Sequence, residues 1–152
     1  MQKEFVPAYP EFKISLSHKN KQSELFPVSD SKDAAVVARK VFEADTIDWV
    51  ETFIVIGLNR ASKVIGFYKV SQGGVTGTVA DPRVVLQFAL LSNATALIIA
   101  HNHPSGGLKP SRADEELTQK IKGACQFFDI RLADHIILTS ESYYSFNDEG
   151  LL

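Results

Sequence analysis

His101 and His103 stand two residues apart, and Ser111 and Asp114 follow a short loop later. Two imidazoles and one carboxylate form a mixed nitrogen and oxygen set that suits zinc. Three protein ligands leave a fourth position open to water. A closed structural site would need a fourth protein ligand, and the sequence offers no obvious one. Cys125 is the only cysteine, and its place on an apolar helix face marks it as packing. Both halves of the pattern also have ordinary readings. Ser111-x-x-Asp114 makes a good helix N-terminus, with the hydroxyl capping backbone N–H groups and the acid complementing the dipole. A histidine pair by itself is common in satisfied cores. Both halves together, at the end of an apolar run and around a Gly/Pro loop, form a narrower coincidence, and one serine can serve a cap and a reaction alike.

The elements that must position these residues follow from the pattern on either side. Residues 94–100 are small and apolar without a break, which predicts a fully buried strand ending at His101. If the backbone stays extended through Asn102, the two-residue period points His101 and His103 to one side and Asn102 to the other. The turn-rich loop at residues 104–110 leads to Ser111, which opens a helix with Asp114 in its first turn, folded back toward the histidines. Later in that helix Leu117, Ile121, Ala124 and Phe128 share a face suited to sheet packing. Residues 130–139 form another core strand. His135 within it is an alternative third ligand, read as structural because it lies deep in an apolar run beside Asp134.

The string His101-Asn102-His103-Pro104-Ser105-Gly106, then Pro110-Ser111, Asp114 and Asp134-His135-Ile136, resembles the metal motif of the JAMM (MPN+) metallopeptidases, and among them the bacterial RadC branch. The likeness spans roughly residues 25–150. It implies that His101, His103 and Asp114 bind one zinc ion, that Ser111 helps stabilise an oxyanion, and that a glutamate on an earlier strand is the general base. The matching glutamate is Glu51. Without the resemblance, Glu51 reads as an exposed acid at a strand end, and Asp48 is a rival base in a more loop-like setting. The implied chemistry is cleavage of an amide or isopeptide bond in a peptide or protein substrate, with Glu51 moving the proton. The RadC branch is traditionally labelled as DNA repair, which keeps two other functions open: an activity on nucleic acid, and a non-catalytic partner-binding module. Larger members carry a helix–hairpin–helix part for which this chain has no room, which weakens a DNA-binding reading while nucleic acid stays open as a partner without support from the charge.

Bulk properties agree with a single domain. The chain has 152 residues and is 45% hydrophobic, enough for one buried core. With 16 basic and 18 acidic residues the net charge is −2, which gives no general attraction to nucleic acid or anionic membrane. No apolar signal region or membrane-length stretch is present, and the lone cysteine allows no disulfide framework. A cytoplasmic protein is expected. Residues 1–24 read as an N-terminal extension, with Phe12, Ile14 and Leu16 on a short half-buried strand and His18 at the surface. Residues 25–152 form the domain.

A helix signal at residues 29–33 precedes an apolar face of Ala35, Val36, Ala38, Val41 and Phe42, with Arg39, Lys40 and Glu43 outward. Residues 53–58 and 63–70 predict a hairpin whose first strand is buried on both faces. Gly73, Gly74 and Gly77 form a connection too irregular for a phosphate-binding fingerprint. Asp81-Pro82 then starts a helix that carries Val84, Val85, Phe88, Ala89 and Leu91 inward and ends near Asn93. Hairpin strands with crossing helices predict an α/β sandwich, a mixed central sheet flanked by helices. Residues 142–146 would close one sheet edge.

Overall fold

The computed structural model describes residues 21–73 and 79–152. The expected strand through Phe12, Ile14 and Leu16, the surface position of His18 and most of the glycine connection lie outside the described residues. The elements run α1 (Ser31–Val41), β1 (Thr52–Leu58), β2 (Val64–Gln72), α2 (Pro82–Leu91), β3 (Ala96–Asn102), α3 (Arg112–Phe127), β4 (Arg131–Leu138) and β5 (Tyr143–Ser145). The five strands form one mixed sheet in the order β2-β1-β3-β4-β5. Among the described residues only β3 and β4 are parallel, joined by α3; the other neighbours are antiparallel.

Two apolar layers cover this sheet. On one face α1 packs Ala34, Ala35, Val37 and Ala38 against Ile54, Ile56, Ile98, Ala100 and Ile136. On the other, α2 and α3 pack Val85, Ala89, Ile121 and Cys125 against Phe53, Val55, Leu97 and Ile99. The predicted sandwich of a mixed sheet between helices is therefore present. Every residue of β1 and of β3 is buried, as expected of strands covered on both sides.

The helix starts follow their caps. Asp30 accepts from the Asp33 N–H at 2.9 Å. Asp81 accepts from the Arg83 N–H at 2.9 Å, with Pro82 at the first helical position. Inward faces differ from the sequence reading at three positions. Val36 is 40% exposed and Leu91 42%, while Val37 takes the inward place on α1, and Val85 and Ala89 face inward on α2 as expected. Phe128 is 44% exposed because α3 ends at Phe127, and a residue past the last turn no longer keeps the helical face. Arg39 is solvent-facing as expected. Its guanidinium nevertheless donates to the carbonyls of Thr139, Ser140 and Ser142 at 2.9, 3.1 and 3.3 Å, which ties α1 to the β4–β5 turn.

Strand β3 ends at Asn102, one residue beyond the predicted end. The His103 N–H donates to the Leu138 carbonyl at 2.8 Å, so the ladder with β4 keeps the backbone extended up to the loop. Gly106, at φ +80, then turns the chain back toward α3.

Candidate metal centre

Period two on β3 sends His101 and His103 to the face covered by α3, and the first turn of α3 brings Asp114 to them. His101 Nε2 lies 2.9 Å from His103 Nε2. Asp114 Oδ1 lies 3.3 Å from the former and Oδ2 3.8 Å from the latter. The three ligand atoms fall within 4.8 Å of one another. Ser111 and Asp114 form a capping box. Ser111 Oγ accepts from the Asp114 N–H at 3.1 Å, while the Ser111 N–H and hydroxyl donate to Asp114 Oδ2 at 2.7 and 2.6 Å. The cap that starts α3 therefore also aims the carboxylate. Among the described residues the Ser111 hydroxyl bonds the ligand carboxylate rather than facing an open oxyanion position.

The donor set fits a divalent cation. His103 Nδ1 lies 2.6 Å from the Gly107 carbonyl. A carbonyl can only accept, so Nδ1 carries a proton, and in the neutral ring Nε2 offers a lone pair. Acceptor atoms that converge in this way repel unless a proton or a metal ion lies among them. Two neutral imidazoles and a carboxylate are the ligand types zinc takes at a three-ligand site.

Electrostatics separates the two histidines. Burial pushes His101 down to about 4, against the opposing pull of the Asp114 charge. His103 is shifted up, chiefly by its bond to Asp114, with a contribution from the Glu51 charge. Burial alone would raise Asp114. The bond to His103, the His101 charge and the two bonds from Ser111 outweigh it and hold the carboxyl well below the usual range.

Strand register places Glu51. Phe53 pairs with His101 across β1 and β3, and Glu51 stands two residues before Phe53, its charge among those that shift His103. Phe53 stacks on the His101 ring at 5.9 Å and 9°, so Glu51 shares the face on which the ligands lie. Asp48, the rival base, is exposed in the turn before β1 and is not among the charges that shift His103.

The sequence profile of the RadC-like JAB domain matches residues 28–151. The chain belongs to this family. A relative from Flavobacterium johnsoniae, a UPF0758 protein, is 42% identical over 84% of this chain and 55% of its own length. The UPF0758 protein YfjY of Escherichia coli is 42% identical over 67% of this chain and 64% of its own. A UPF0758 protein of Streptococcus gordonii is 33% identical over 90% of this chain and 60% of its own. The chain thus spans about half the length of the relatives it matches.

In this RadC-like JAB domain three further side chains hold the centre in place. Asn102 points away from the ligands, as predicted. Its Oδ1 accepts from the Thr52 N–H at 2.7 Å, and its Nδ2 donates to the Ile47 and Val50 carbonyls at 2.7 and 2.8 Å. The residue between the two histidines therefore grips the backbone on both sides of Glu51. His135 has both ring nitrogens engaged, by His101 Nδ1 at 2.8 Å and Thr118 Oγ1 at 2.6 Å, and stands behind His101. Asp134 is no partner for its ring: that carboxylate bonds the Ser145 hydroxyl at 2.7 Å and the Asn147 N–H at 3.1 Å. Thr118 carried one sequence signal, its place one helical turn after Asp114. Asn102 carried none.

Proposed function

We propose that the domain is a zinc-dependent amide hydrolase with His101, His103 and Asp114 as ligands and Glu51 as general base. The observation that carries this reading is the convergence of three acceptor atoms within 4.8 Å, with the Glu51 charge close enough to shift His103. Zinc held there would make water acidic near pH 7 and polarise a carbonyl. Glu51 would take the proton from the attacking water and return it to the leaving amine, so one carboxylate serves both halves of the cycle. Ser111 keeps Asp114 oriented. Released from that bond, its hydroxyl could donate to the developing oxyanion, an interaction typically worth about 10²-fold or more in rate.

The substrate class proposed is a peptide or an isopeptide-linked protein. A net charge of −2 supplies no electrostatic footprint for nucleic acid. The test is turnover of a peptide and isopeptide library beside a DNA panel, with zinc supplied and Glu51→Gln as blank. Amide cleavage by the wild type, lost in the variant, is expected. DNA cleavage without peptide cleavage would replace the substrate class, and Glu51→Gln turning over like the wild type would remove Glu51 as base.

A further inference from the structure

We propose that Thr118 and His135 are positioning residues that fix the proton of the His101 ring on Nδ1, so that its Nε2 faces His103 and Asp114 as a bare lone pair. This deepens the zinc reading of the same site and rests on it. The argument starts from a carbonyl. Thr118 Oγ1 lies 2.6 Å from the Asp114 backbone oxygen, which can only accept, so the hydroxyl proton points there. A hydroxyl that has donated its one proton must accept from its other partner. That partner is His135 Nδ1, at 2.6 Å, and the His135 proton therefore sits on Nδ1.

The His135 ring is fully buried, stacked on Phe146 at 4.4 Å and 16° and tilted against Phe53 at 5.7 Å. Such surroundings favour a neutral ring. With Nδ1 protonated, its Nε2 is an acceptor. His101 Nδ1, 2.8 Å away, must be the donor, and the remaining ring nitrogen of His101 is left with its lone pair. The direction of every proton in the chain thus follows from one backbone carbonyl, and that carbonyl belongs to Asp114, whose side chain supplies the third ligand. Among the described residues His103 reaches the same tautomer by one step, through Gly107. His101 needs two intermediaries because its Nδ1 faces the interior.

Metal-ligating histidines whose outer nitrogen loses its partner typically bind about 10- to 100-fold more weakly. Thr118→Val keeps the shape and removes the acceptor, freeing both rings to exchange tautomers; Thr118→Ser keeps the hydroxyl. The test has two readouts. Nitrogen-15 NMR of the metal-free protein above pH 8 reports which ring nitrogen of His101 is protonated, and needs no zinc. Chelator competition reports zinc affinity. Expected are a Nδ1-protonated His101 in the wild type and in Thr118→Ser, mixed tautomers in Thr118→Val, and a 10- to 100-fold weaker zinc affinity in Thr118→Val alone, with His103 unchanged. A Nε2-protonated His101 in the wild type overturns the proposal, as does a folded Thr118→Val that binds zinc within twofold of wild type. A wild type that binds no zinc but shows the Nδ1 proton would overturn the metal reading and leave the hydrogen-bond chain standing.

Discussion

His101 and His103 are the same side chain two residues apart, yet their surroundings push them in opposite directions. His101 is buried and held neutral, down to about 4, while His103 is held toward its protonated form by Asp114. On the proposed reading zinc would have to displace a proton from His103, so its affinity is expected to fall as pH falls; competition titrations across pH 6 to 8 measure this. The metal-free protein should also lose stability in acid. A group whose folded value lies below its unfolded one contributes stability that is present above the unfolded value, near 6.5, and lost as pH drops toward about 4. For fully buried His101 that amounts to about 3 kcal/mol, with buried His135, also pushed down, acting in the same direction. Urea unfolding of metal-free protein at pH 7 and pH 4.5 reads it. His103, shifted up, acts in the opposite direction over this window, so the comparison is made in His103→Ala, where equal stabilities at the two values would contradict the neutral assignment.

At the scale of elements, β3 sorts chemistry from anchorage by its two-residue period. Asn102→Ala would leave one N–H and two carbonyls at the entrance to β1 without partners, at a cost of about 3 kcal/mol and a fall in Tm on the order of 10 °C. Zinc stoichiometry should survive, since the ligands stay on the opposite face, while turnover falls because Glu51 loses its fixed backbone. Metal analysis beside activity separates the two effects; unchanged turnover would show that Glu51 is positioned otherwise. Ser111→Ala removes the capping box of α3 and should cost about 1 kcal/mol, together with weaker zinc binding as Asp114 loses its orientation. Helix starts were readable in advance because a cap is a local event, as at Asp81-Pro82. Inward faces were less so. Val36 and Leu91 are apolar and lie on periodic helices, but which of several apolar positions meets the sheet depends on how each helix is rotated against it.

For the whole molecule, the parallel connection from β3 through α3 to β4 is what closes the centre. It returns Asp114 and Thr118 over the sheet face from which His101 and His135 project. Cys125 lies on the same helix at 0% exposure, with burial pushing its thiol up to about 11. It should resist alkylation in the native protein and react only on unfolding; fast labelling of the folded chain would contradict its place in the core. Among the described residues, no helix is long and apolar enough to cross a membrane.

Residues 101–114 contain the three candidate ligands, the cap that orients Asp114 and the turn that returns it. That much was determined by sequence alone, because strand period, helix capping and loop chemistry act over a few residues. The sandwich architecture followed from the same local periodicities. The partners of those ligands were decided only by tertiary structure. Phe53 meets His101 through the β1–β3 register, Asn102 reaches Thr52 across 50 residues, and His135 reaches His101 across 34. A shift of one residue in any of these ladders would turn the same side chains to the opposite face. Packing across the sheet specifies that register, and no short stretch of chain encodes it.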